Sequence, residues 1–364
     1  MLNKLVVENL KHRPVRTLLS ILAIGIEVTM ILTLVGLSRG MLDDYKNRAK
    51  GVGADIWVRP PNTSIMQFTA NSMPEKLVDF FQKQPHVTIA TASANFGAGF
   101  METVSGVDFD RFSQMSGGFR FLGGGPIRQP NEILVDDRYA RLKKLRPGSM
   151  IRLGDREWRV AGIYESGKLA RILLPLPVVQ DLAGSTGKVA QIFLKLDEPA
   201  NAAKVTEALK SQLPDYHIYP IEELTSLFTT SNVQGLEAFT YVVITLGVVV
   251  GFLVVFLSMY TAVLERTREI GILKSMGASS GYILGILLRE TMVLAVVGAT
   301  LGVLMSYGTQ YLINNFTGPA LTQTIVPDWW PITAIIAISG AQLGTLYPGM
   351  KAVHQDALEA LSYD

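Results

Sequence analysis

Leu264-Glu265-Arg266-Thr267-Arg268-Glu269-Ile270-Gly271-Ile272-Leu273-Lys274-Ser275-Met276-Gly277-Ala278 decides the architecture of this chain. An uncharged apolar run, Phe239 to Val263, precedes it, and a second apolar run, Tyr282 to Ile313, follows it. Each can cross a hydrocarbon core of roughly 30 Å as a helix rising about 1.5 Å per residue. A short charge-dense helix between two spans reads as a lever. In helical geometry Glu265 lies over Arg268 and Glu269, and Ile270 over Leu273, so one face is charged and the other apolar. Acidic and basic residues nearly balance. That suits docking to a protein better than resting on lipid headgroups, where Lys and Arg dominate. Gly271 and Gly277 let the chain bend on its way into the next span.

Working outward, two further apolar runs qualify as spans. Thr17 to Leu37 follows a basic front of Lys4, Lys11, Arg13 and Arg16. It is too long for the core of a secretion signal and no small-residue cleavage site follows, so it reads as a retained anchor. Trp330 to Leu346 is the shortest run and is flanked by the interface aromatics Trp329, Trp330 and Tyr347. Lys and Arg cluster before the first span and between the second and third, while Asn314 to Asp328 has neither. The positive-inside rule then puts both termini and the charged loop in the cytoplasm. The expected plan is a cytoplasmic amphipathic segment 1–16, spans 17–39, 238–263, 281–313 and 329–347, and an outside domain 40–237. The coupling segment covers 264–280, an outer loop 314–328, and a cytoplasmic tail 348–364.

Composition agrees with this mixture. The chain has 364 residues, 48% of them hydrophobic, with a mean hydropathy of +0.28. That is too apolar for an ordinary soluble domain and too polar for spans alone. A net charge of +2 points to no nucleic-acid partner. The absence of cysteine excludes disulfides, thiolate metal sites and cysteine nucleophiles. His12, His86, His217 and His354 show no metal-ligand spacing. Gly184-Ser185-Thr186-Gly187-Lys188 fails as a phosphate loop, because Leu182 and Val189 stand where glycine and Ser or Thr are required. Gly123-Gly124-Gly125-Pro126 reads as a flexible turn. Asp136-Asp137 reads as a loop edge and Glu222-Glu223 as a helix start. No catalytic constellation appears, and the chain is expected to be no enzyme.

The outside segment carries two strand-helix-strand stretches. The first is Asp55 to Arg59, a helix over Pro74 to Gln84 started by Ser72, Pro74 and Glu75, then Val87 to Ala90. The second is Gln191 to Leu196, a helix over Ala200 to Leu213, then His217 to Tyr219. Together they predict an α+β domain of ferredoxin-like kind. Between them, Asn131 to Val135 and a hairpin of Met150 to Leu153 with Trp158 to Ile163 predict a smaller β-rich insert over about 105–180. The expected fold class is therefore an α-helical membrane protein with four transmembrane helices and a large extracytoplasmic α+β domain.

Three charged residues lie well inside spans. Glu27 sits mid-span, where a carboxylate is costly; it reads either as a gating or substrate-path residue or as one that fixes helix packing. Arg289 and Glu290 lie about two turns into the third span and are expected to snorkel to the interface.

With these residues in hand, the chain resembles the permeases of the MacB/FtsX family, the mechanotransmission (type VII) branch of ABC transporters. The segment Glu265 to Ala278 is similar to that family's coupling segment almost throughout. Arg13-Pro14-Val15-Arg16-Thr17-Leu18-Leu19-Ser20 resembles its amphipathic approach to the first span. Ala357-Leu358-Glu359-Ala360-Leu361-Ser362 resembles its terminal segment in part, and Gly106-Val107-Asp108 a recurring tripeptide. The order of one span, an outside domain and three spans covers the whole chain. The resemblance implies a homodimeric permease in a bacterial inner membrane, in contact with lipid. It also implies an ABC ATPase subunit in trans, holding ATP and magnesium that this chain does not hold. It further implies a periplasmic adaptor and outer-membrane channel in double-membrane bacteria. The coupling residues it implies are Glu265, Arg266, Arg268, Glu269, Ile272, Lys274 and Met276, and ATP-driven closure is expected to move the second and third spans. The leading expectation is an export or extrusion permease. The alternatives are an FtsX-like regulator of a cell-wall hydrolase and a receptor or scaffold without an ATPase.

Overall fold

Helix α1 (Pro14–Lys50) is a single rod of 37 residues, about 55 Å long at 1.5 Å per residue and well beyond the needs of a hydrocarbon core. The computed structural model describes residues 14–61, 70–99, 102–229, 231–232, 235–318 and 321–354. Most of segment 1–16 and the Ala357–Ser362 match lie outside the described residues. Two compact units divide the chain: a helical unit of Met1–Ser38, Gly235–Leu312 and Gln323–Asp364, and an α/β unit of Arg39–Gln234 and Ile313–Thr322.

The α/β unit contains β1 (Ile56–Arg59), β2 (Met73–Pro74), α2 (Leu77–Gln82), β3 (Val87–Gly99), β4 (Glu102–Val107) and α3 (Phe109–Ser116). Then come β5 (Phe121–Gly124), β6 (Glu132–Asp136), α4 (Asp137–Lys143), β7 (Met150–Leu153), β8 (Arg156–Tyr164), β9 (Ile172–Pro175) and α5 (Leu176–Leu182). The unit continues with β10 (Lys188–Val189), β11 (Gln191–Leu196), α6 (Ala202–Gln212), β12 (His217–Pro220) and α7 (Ile221–Leu227). A ten-stranded sheet runs in the order β12-β1-β11-β3-β4-β9-β6-β8-β5, with β7 beside β8. Its pairings are antiparallel except β4 with β9 and β6 with β8. The two-residue period of a strand loads both faces. Ile56 and Val58 point into one apolar cluster with Phe81, Ile192, Leu194 and Leu209. Trp57 and Phe193 point into the other, where Leu42 and Ala49 of α1 meet Leu134, Tyr164 and Leu173.

Three expectations change here. The helix after β1 starts at Leu77, not at Pro74. Pro74 pairs with Lys188 in a β2–β10 ribbon, and the Glu75 amide donates to the Gly187 carbonyl at 2.9 Å, so the amide expected to begin the helix is already taken. The β-rich insert also carries α3, α4 and the start of α5, and it is not a separate sheet, since β4 pairs with β3 on one side and β9 on the other. Gly123 and Gly124 form the end of β5 rather than a flexible turn. Gly124 has φ +71°, and a Cβ there would lie 2.1 Å from the Ala161 carbonyl, so only glycine fits.

The helical unit adds α8 (Leu236–Glu265), α9 (Thr267–Ser275), α10 (Ser280–Phe316) and α11 (Trp330–His354) to α1. By length and composition, α1, α8 and α10 are long and apolar enough to cross a membrane among the described residues. The 25-residue α11 continues through Pro348, beyond the end expected at Leu346. Small residues set the packing, as helices in lipid require close backbone approach. A Cβ on Gly298 would fall 2.8 Å from Ile24 Cβ, and one on Gly302 would fall 2.6 Å from Val28 Cβ. Gly344 of α11 lies similarly against the Phe252 carbonyl of α8. Hydroxyls pair across helices at 2.8 Å: Ser20 with Ser258, Thr33 with Thr309, and Thr291 with Thr345.

Candidate functional site

The charged stretch is two structural pieces. Glu265 ends α8, and Arg266, at φ −110° and ψ 12°, belongs to neither helix. Its amide donates to the Val263 carbonyl and its own carbonyl accepts from Ile270, so one residue closes α8 and opens α9. Glu265 therefore does not lie over Arg268 and Glu269 on one helix, as continuous helical geometry would require. At the other end Gly277, at φ +91°, closes α9 with the Ala278 amide bonded back to Leu273. Gly271 lies inside α9, buried, so the bend belongs to Gly277 alone.

The faces of α9 divide cleanly. Thr267, Ile270 and Gly271 are buried. Arg268 and Glu269 are exposed beside Ile272 and Met276, the last 71% exposed. Lys274 is held, its Nζ donating to the Val353 carbonyl of α11 at 2.6 Å. Arg266 turns inward: its Nη1 donates to Glu290 Oε2 at 3.1 Å, while Arg16 Nη2 of α1 donates to Glu290 Oε1 at 2.9 Å. Glu290 is wholly buried. The expectation that Arg289 and Glu290 both snorkel is thus corrected. Arg289 is exposed, but Glu290 faces inward, because a buried carboxylate is tolerable when two guanidiniums saturate it. The sequence signal was partial: a basic residue, Arg16, stands at the entry of the first span, and a carboxylate, Glu290, lies about two turns into the third.

Glu27 is buried in α1 against the α8 glycines. A Cβ on Gly251 would fall 1.8 Å from Glu27 Oε2, and Glu27 Oε1 is buried without a hydrogen-bond partner. Among the described residues no group of His, Cys, Asp or Glu gathers to hold a metal.

The α/β unit has its own charged node, which sequence reasoning missed. Arg171 donates to Asp44 at 2.8 Å and to Asp136 at 3.1 Å, and Arg48 meets Asp44 at 3.1 Å. This ties the last turns of α1 to the end of β6. Arg138 Nη2 donates to the Leu321 carbonyl at 2.6 Å. Burial pushes the Asp136 carboxyl above its ordinary value, against the pull of Arg171. Burial likewise lowers the Arg138 guanidinium. Asp136 is a structural acid here: its Oδ1 caps α4 by accepting from the Tyr139 amide at 2.6 Å. Arg48 is an i,i+4 neighbour of Asp44, but Asp136 and Arg171 lie 92 and 127 residues from it, so no local spacing announces the node.

The arrangement can bind and transmit. A charged and apolar helix face lies between two long apolar helices, and the inner side of that hinge is ion-paired. Residues 17–212 match the family model of the MacB-like periplasmic core domain, and residues 241–357 match that of the FtsX-like permease C-terminal domain. The chain belongs to this MacB/FtsX family of ABC transporter permeases. Among its relatives is an ABC transporter permease of Methanocaldococcus jannaschii, 30% identical over 60% of this chain and 58% of the relative. Another is the macrolide export ATP-binding/permease protein MacB of Escherichia coli, 25% identical over 95% of this chain and 58% of that protein. The chain spans little more than half the length of these curated relatives. The crystal structure of the periplasmic region of MacB from Actinobacillus actinomycetemcomitans overlaps 49% of this chain and 94% of that one, at 14% identity and a TM-score of 0.38, too low to bear on the fold.

Proposed function

We propose that this chain is the permease subunit of an ABC-type export or extrusion system, driven by an ATPase on another chain. The observation that carries the reading is the outward face of α9, where Arg268, Glu269, Ile272 and Met276 stand exposed between α8 and α10. A mixed-charge face with two apolar anchors suits a protein groove. ATP and magnesium belong to that partner. The permease works as a homodimer in the inner membrane, with α11 as a fourth span, both termini cytoplasmic and the α/β unit outside. The order β12-β1-β11-β3, antiparallel throughout, supports a ferredoxin-like reading of that part of the sheet. An adaptor and outer-membrane channel complete the path where a second membrane exists. The size of the ten-stranded sheet favours export over FtsX-like regulation of a cell-wall hydrolase. The MacB relatives are named for macrolide export, and efflux is the role this supports for the chain.

The test is Arg268→Ala with Glu269→Ala, with and without Glu265→Ala. The double variant is expected to lower co-purification of the ATPase and its permease-dependent turnover at least tenfold. Adding Glu265→Ala changes little, since Glu265 lies on α8. Unchanged association and turnover in the triple variant refute the docking face.

A further inference from the structure

Glu290 grips two guanidiniums at once, and one of them, Arg266, is the hinge between α8 and α9. From Arg16 outward, α1 and α10 keep one register. Their contacts join residues 274 apart at Arg16–Glu290, 273 apart at Thr29–Gly302 and 276 apart at Thr33–Thr309. Gly298 and Gly302 receive Ile24 and Val28 between them. A near-constant offset means that the two helices run parallel, hydrogen-bonded or close-packed at each step.

The seam between α1 and α8 differs. The hydroxyls of Ser20 and Ser258 meet across it at 2.8 Å. Further along, the Gly247 and Gly251 notch receives Met30 and Glu27, and Glu27 Oε1 has no partner there. A seam with an unpaired buried oxygen loses less by sliding than one whose polar atoms are paired, and shear between packed helices is a common mode of motion. We propose that Glu290 is the positioning residue that fastens the α9 hinge to α1 and α10, so that these two helices move as one body and slide past α8. This rests on the reading of α9 as an ATPase-driven segment and names what that segment moves.

The chain has no native cysteine, so engineered pairs are unambiguous. Thr33→Cys with Thr309→Cys bridges α1 to α10; Ser20→Cys with Ser258→Cys bridges α1 to α8. Each replaces hydroxyls 2.8 Å apart. The full chain is reconstituted in liposomes with its co-purifying ABC ATPase and oxidised. The α1–α10 bridge is expected to leave ATP turnover within twofold of the reduced sample, and the α1–α8 bridge to lower it at least tenfold, reversed by reductant. Adding Glu290→Gln to the α1–α8 pair is expected to abolish that stall while the ATPase still binds, because α9 is then joined to the locked pair only through the backbone hinge at Arg266 and is no longer fastened to α1 and α10. A stall with the α1–α10 bridge, no stall with the α1–α8 bridge, or a stall that survives Glu290→Gln overturns the proposal. If no ATPase binds the unaltered chain, the functional reading fails, and the fastening is judged on the permease alone. There the losses in Tm from Glu290→Gln and Arg266→Gln are expected not to add; simple addition refutes the link.

Discussion

Replacing Gly302 by alanine puts a methyl group where α1 and α10 already touch. The new Cβ would sit 2.6 Å from Val28 Cβ, 2.7 Å from the Gly25 carbonyl oxygen and 2.8 Å from Val28 Cγ1. A carbonyl oxygen on a helix cannot rotate aside, so relief requires the helices to part by about 1 Å, with loss of dispersion contacts along the seam. Overpacking of this kind costs about 1–3 kcal/mol. Separation also stretches the bond from Thr29 Oγ1 to the Gly302 carbonyl, 3.1 Å long, and such interhelical bonds contribute about 0.6 kcal/mol. Alanine recovers up to about 1 kcal/mol of helix propensity at this interior position, so the expected net loss is about 1–3 kcal/mol. Gly308 on the same helix is the control. A Cβ there meets nothing within 4 Å, so Gly308→Ala is expected to be neutral or to gain up to about 1 kcal/mol of helix propensity. Equilibrium unfolding of the full chain in mixed detergent micelles measures both. Gly302→Ala within about 0.5 kcal/mol of the unaltered chain, or Gly308→Ala as costly as Gly302→Ala, refutes the close-packed seam.

Glu27→Leu removes the unpaired buried oxygen at the α1–α8 seam and is expected to raise Tm while slowing ATP-driven turnover; full turnover would reduce Glu27 to a packing residue. Asp136, ordinarily at 3.8, is raised in the folded α/β unit. The folded state holds that proton more tightly than the unfolded one. Its contribution to stability is therefore complete below pH 3.8 and is lost as pH rises through the raised value. Asp136→Asn keeps an oxygen for the Tyr139 amide and is expected to remove that decline, read as the difference in Tm between variant and unaltered chain across pH 3 to 7. A difference that does not change with pH refutes the assignment.

Patterns that repeat locally were legible in advance. Apolar runs of span length, the charge-dense interval between two of them and the strand-helix-strand stretches all follow from periods of 3.6 and 2 read along the chain. β11 and the hairpin of β7 and β8 stand where alternation placed them, at Gln191–Leu196 and across the Gly154-Asp155 turn. Local reading failed wherever a distant group competed for a local one. The Glu75 amide went to Gly187 instead of a helix start, and Gly124 packed onto Ala161 instead of turning freely.

The coupling stretch shows the same division. Sequence alone determined that a short charged segment lies between two long apolar helices, because composition and period require no partner. Tertiary structure decided which of its charges face outward. Arg268 and Glu269 remain exposed, whereas Arg266 turns in toward Glu290 and Arg16, residues 24 and 250 positions away, and Lys274 reaches the Val353 carbonyl. A buried ion pair is specified by depth and proximity in three dimensions, and neither is encoded in the spacing of its members along the chain.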